Sequence, residues 1–159
     1  MIRSMILAAT LATSGWAAVA HAGQYDGPAR WESTTVTISA DLEQTASHWG
    51  DTLKFEVVPA NEAQIKTTSQ AFTDKGVGGE AQSTFRNGDY LESCTIALPK
   101  GKQIDSSITT HEFGHCLGLS HRSGVDESNM HWWAQDYTGG WSDTVTEADL
   151  AALAERYER

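Results

Sequence analysis

Basic residues are scarce in this sequence. There are 11 Lys and Arg against 21 Asp and Glu in 159 residues, a formal charge of −10. Nucleic acid and anionic membrane surfaces reward clustered Lys and Arg, so neither is an expected partner. The acidity reads as a solvated surface that keeps the protein soluble. Apolar runs are also lacking beyond the first 22 residues, so no membrane span is expected in the remainder. There is no internal repeat, no low-complexity tract and no stretch resembling an interdomain linker. The length suits one domain. Cysteine is limited to Cys94 and Cys116. An even pair in an exported protein suggests a disulfide, with two buried thiols or a regulatory thiol as the alternatives.

The exported character comes from the start of the chain. Met1–Ala22 carries one early positive charge, Arg3, then small and apolar residues, and closes on Ala20-His21-Ala22. Small residues at those two positions fit a secretory signal cleaved after Ala22, which makes residues 23–159 the mature domain, secreted or periplasmic. That domain keeps 10 basic and 21 acidic residues.

Within it, Thr34–Ser39 alternates like a half-buried strand, and Asp41 with Gln44 looks like a capping box opening a short helix through Leu42, Ala46 and Trp49. Leu53, Phe55 and Val57 mark the inner face of a second strand. Ala63–Phe72 is a more polar strand. Glu80–Phe85 suits a sheet edge, Asn87-Gly88 suits a hairpin turn, and Cys94, Ile96 and Leu98 line another strand. A helix is expected from about Asp105 to Leu117, ended by Gly118. Arg122–Asp143 reads as an ordered loop. Thr146, with Asp149 three residues on, caps a last helix whose stripe is Leu150, Leu153, Ala154 and Tyr157. Strands interleaved with three helices predict one α/β or α+β domain around a single sheet.

The chemistry is concentrated in His111-Glu112-Phe113-Gly114-His115-Cys116-Leu117-Gly118-Leu119-Ser120-His121. Residues four apart on a helix share a face, so His111 and His115 can aim two imidazoles at one metal ion. Gly118 lets the chain turn, and His121 returns as a third ligand. Three His ligands leave a fourth zinc position open, the mark of a catalytic site. Glu112 is rotated to reach a water beside the metal, as a general base. Phe113, Cys116 and Leu117 form an offset core face, so the same helix can pack on a sheet and present Ile108, His111, Glu112 and His115 to a cleft.

This segment resembles the long zinc signature of the metzincin metallopeptidases, and Phe-Gly after the base and Leu-Gly-Leu before the last His are most similar to the matrixin branch. The resemblance implies an α+β domain with a five-stranded mixed sheet, three helices and a zinc cleft. It implies a zinc-dependent endopeptidase acting on proteins or peptides, with Met130 as the Met-turn methionine. Similarity is specific from about Ile108 to Met130, with a weaker echo at Thr146-Glu147-Ala148-Asp149-Leu150. Family likeness also places the edge strand Glu80–Phe85 beside an extended substrate. The segment after Met130, His131-Trp132-Trp133-Ala134, falls where matrixins build their main specificity pocket; Trp132 and Trp133 either shape that pocket or fill core. Tyr137 either donates to an oxyanion or packs. His131 reads as a surface residue or a support to the ligands, and His48 has no assigned role.

Two departures from the animal matrixins stand out. Gly23–Trp31 contains no Cys that would block a zinc ion, and Ala63–Leu98 contains no His for a second zinc site. Asp74 and Glu80 in Thr73–Glu80 offer either a Ca2+ site or a plain glycine loop, two carboxylates being few for calcium. The alternative to an enzyme is a secreted zinc-binding module without peptidase activity, and a monomer is the default state.

Overall fold

A computed structural model describes residues 29–72, 78–86, 89–101, 106–122, 128–130 and 144–158. The elements run β1 (Arg30–Trp31), β2 (Thr35–Ser39), a 3-10 turn (Ala40–Leu42), α1 (Glu43–Ser47), β3 (Lys54–Val58), β4 (Ile65–Gln70), β5 (Glu80–Arg86), β6 (Tyr90–Pro99), α2 (Ser106–Cys116) and α3 (Glu147–Tyr157). The architecture is α+β, with one mostly parallel sheet and three α-helices.

The sheet runs β1-β6-β4-β2-β3, with β5 on the other side of β6. The five strands expected above are corrected to six among the described residues, and the expected mix of directions comes down to one antiparallel pairing. There are six strands, because the two-residue β1 is too short to leave a pattern in sequence. Every pairing is parallel except β5 with β6. The reason is connection length. Only three residues separate β5 from β6, enough for a hairpin, whereas β2 reaches β3 by a crossover through α1.

One row of neighbours crosses the sheet: Ser83 beside Cys94, Cys94 beside Ile65, Ile65 beside Ile38. All four are buried, and the core that grows from them includes Phe113, Cys116, Leu117, Met130 and Leu153. Leu53 joins that core, and Phe55 meets Phe113 edge-on with ring centroids 5.5 Å apart. Val57 departs from the expected inner face and is 45% exposed, because β3 is the edge of the sheet. Asp41 departs too. The 3-10 turn delays α1 to Glu43, no side chain caps it, and the Asp41 carboxylate instead accepts the Thr67 hydroxyl of β4.

Helix α2 starts one residue later and ends one earlier than expected, and Gly118 takes the left-handed conformation at φ +87°. Helix α3 has the reciprocal Thr146–Asp149 capping box. Among the described residues no helix is long and apolar enough to cross a membrane. Met1–Ala22 and Asn87-Gly88 lie outside the described residues.

Candidate metal centre

Helix α2 lies on the sheet and turns its polar edge toward β5. The anchor is covalent: Cys94 of β6 and Cys116 of α2 are disulfide-bonded, with Cα atoms 5.5 Å apart. Past Cys116 the helix stops sharply. Gly118 N–H donates to the His115 carbonyl and Leu119 N–H to the Gly114 carbonyl. A Cβ on Gly118 would sit 2.1 Å from the Ala29 carbonyl oxygen, so both the conformation and the space require glycine. This turn brings the chain back along the helix and delivers His121.

The three imidazoles converge. Nε2 of His111 is 3.2 Å from Nε2 of His115 and 3.1 Å from Nε2 of His121, and His115 is 3.1 Å from His121. His115 stands nearly perpendicular to both neighbours, at 89° and 79°. Two of the rings are set from behind. His111 Nδ1 donates to the Asn129 carbonyl at 2.6 Å, and His115 Nδ1 donates to the Leu119 carbonyl at 2.8 Å. A carbonyl can only accept, so those bonds place the proton on Nδ1 and leave a lone pair on Nε2. Burial lowers the pKa of His111, and lowers that of His115 well below the usual value, where His111 and His121 add repulsion. Neutral rings with lone pairs facing one another at about 3 Å repel, and a cation between them resolves the conflict. His111, His115 and His121 can hold a metal ion, and among the described residues they are the one such group.

Glu112 is 3% exposed on the same helix. Burial raises its pKa to about 7, Glu80 adds repulsion, and a hydrogen bond from the Ala81 backbone opposes both. Gly79 makes the fit: a Cβ there would lie 3.1 Å from Glu112 Cγ. Glu112 Oε2 is buried without a hydrogen-bond partner among the described residues. An acceptor left in that state is costly unless the chemistry uses it.

Met130 is fully buried, with its Sδ against Gly114 of α2. A Cβ at Gly114 would meet Met130 Sδ at 2.4 Å and the Trp49 ring at 2.7 Å, so Gly114 admits both. The backbone N–H of Arg122, next to His121, donates to the Met130 carbonyl at 2.8 Å.

Trp132, Trp133, Tyr137 and His131 lie outside the described residues, as do Asp74 and most of the glycine loop; Glu80 accepts from Gln82 Nε2 at 3.2 Å. His48 is half-buried as the C-cap of α1. Sequence reasoning missed Gly79 and Ala81, which pack on Glu112, and the placement of Trp31, whose indole N–H donates to the Cys116 carbonyl at 2.9 Å. It read Asp149 as a helix cap only. Nothing local signals these roles, since each partner is more than 20 residues away in sequence or supplies only backbone. No model of a known protein family matches the chain, and no curated protein matches it in sequence.

Proposed function

We propose that this chain is a secreted zinc-dependent endopeptidase of metzincin type, with His111, His115 and His121 holding zinc and Glu112 as general base. The carrying observation is the triangle of Nε2 atoms beside a buried, protonatable carboxyl. A tetrahedral zinc ion with nitrogen ligands at about 2.0–2.1 Å holds them about 3.3 Å apart, close to the spacing here. Zinc in this position supplies Lewis acidity to the carbonyl to be cleaved and to an attacking water.

The residues of the chain do the rest. Glu112, buried beside the three histidines, can take a proton from water and return it to the leaving amine. Among the described residues β5 pairs only with β6, and the Ala81 backbone on it meets Glu112, so its other edge runs beside the site. An extended peptide can add to that edge by main-chain hydrogen bonds, which tolerate many sequences. The disulfide suits an oxidising compartment and supports export.

The second reading, a zinc-binding module without catalysis, leaves the built environment of Glu112 without a purpose. Two measurements separate them. Purified mature protein should cleave unstructured casein, lose that activity to a zinc chelator and regain it on zinc addition. Glu112→Ala should retain one zinc per chain and lose about 10²–10⁴-fold in activity. Full activity in that variant would reject Glu112 as the base, and zinc binding without cleavage by the wild type would favour the module.

A further inference from the structure

Asp149 is fully buried, and its carboxylate does more than cap α3. Oδ2 accepts the backbone N–H of Asn129 at 2.7 Å, the Thr146 hydroxyl at 2.9 Å and the Thr146 N–H at 3.3 Å. Oδ1 accepts the Ser128 hydroxyl at 2.5 Å, and Ser128 Oγ in turn accepts the Met130 N–H at 3.0 Å. Both oxygens therefore grip Ser128-Asn129-Met130. The Asn129 peptide is held at its N–H by Asp149 and offers its carbonyl to His111 Nδ1 at 2.6 Å.

We propose that Asp149 is a positioning residue for the metal: through the Ser128-Asn129 backbone it fixes the ring of His111 and sets the affinity of the three-histidine site. Three observations carry this. The line from Asp149 to His111 has one backbone step and two short hydrogen bonds. Both oxygens also reach outside α3, to the Ser128 hydroxyl and the Asn129 N–H, which a helix cap does not require. Finally, an acceptor behind a metal-bound His raises the basicity of the ligand and locks its tautomer, and such partners ordinarily contribute 10–100-fold in metal affinity.

The inference rests on the metal reading above, and the test keeps the two apart. Zinc dissociation constants are measured by chelator competition on folded mature protein, and Co2+ is substituted to read ligand geometry from its visible absorption. Wild-type protein without a tight site would reject the metal reading and the inference with it. With a tight wild-type site, Asp149→Asn, which keeps size and one acceptor but removes the charge, should weaken zinc by about 10-fold or more and alter the Co2+ spectrum. Ser128→Ala, a milder cut in the same network, should shift both readouts the same way and serves if the first variant does not fold. Leu153→Val, a core change in the same helix that does not touch the carboxylate, should lower thermal stability and leave zinc affinity and spectrum unchanged. Unchanged affinity and spectrum in Asp149→Asn or, failing that, in Ser128→Ala would overturn the proposal. An equal loss in Leu153→Val would also overturn it, by showing that general helix stability is what matters.

Discussion

Glu112 is the residue at which stability and function pull in opposite directions. Its ordinary pKa is 4.5 and burial raises it to about 7 in the fold. A carboxyl with a raised folded pKa favours the native state fully below the unfolded value, and that contribution is lost as pH rises through the folded one. In protein stripped of metal, the conformational stability due to this group should therefore be intact at pH 4.5 and fall by about 3 kcal/mol by pH 8. Glu112→Gln, which cannot ionise, should remove that slope. The check is urea unfolding of both proteins at pH 5 and pH 8 in the presence of chelator. Equal slopes in the two proteins would mean that Glu112 is not buried as described. His111, Glu112 and His115 were legible as a group in sequence because helical spacing alone brings His111 and His115 to one face. The pKa was not legible, because it depends on burial and on Glu80 and Ala81 of β5, which the fold brings from about 30 residues away.

At the scale of elements, the informative feature is the end of α2. Helix C-termini leave carbonyls without partners, and here they are met by residues from both ends of the chain. Trp31 Nε1 serves Cys116, while the Tyr157 hydroxyl donates to Leu117 O and accepts from Trp31 N, each at 3.1 Å. Arg156 holds the Ala29 carbonyl at 2.9 Å, over Gly118. Burial raises the Tyr157 pKa to about 12, two units above its ordinary 10.0. Stability from this group is complete below pH 10 and is lost as pH rises through about 12. Tyr157→Phe should cost about 1–2 kcal/mol at pH 8, since it removes two partly buried hydrogen bonds, and the penalty should shrink toward alkaline pH as the wild type loses its advantage. Thermal melts at pH 8 and pH 11 would check this, and a constant penalty at both would contradict the described contacts. The elements themselves were largely legible: α2, α3 and five strands follow from periodicity and caps. The pairing direction of the strands and the two-residue β1 were not, because parallel order depends on crossovers that no local pattern records. Asp41 misled for a related reason, its capping role being overridden by Thr67 from a strand more than 20 residues distant.

At the scale of the whole molecule, α3 and the disulfide bracket the ligand-bearing segment. The N-terminal end of α3 grips Ser128 and Asn129, and its C-terminal end grips Ala29, Trp31 and Leu117 through Arg156 and Tyr157. The bond from Cys94 to Cys116 spans a sequence separation of 22 that includes the second half of β6 and all of α2, with His111 and His115. Closing a loop of that size restricts the unfolded chain and is worth about 3 kcal/mol. Both cysteines are fully buried, so a reductant cannot reach the sulfurs without an opening of the core. Two results should follow together. Folded protein loaded with zinc and incubated with a phosphine reductant, which unlike a dithiol does not compete for zinc, should keep the metal and its melting temperature for as long as it stays folded. The Cys94→Ala, Cys116→Ala double variant should melt lower, by roughly 10 °C at about 3 kcal/mol for a domain of this size. Rapid loss of metal in reductant under native conditions would place the disulfide in a region that opens locally, and the end of α2 would then be the least stable part of the site rather than its anchor.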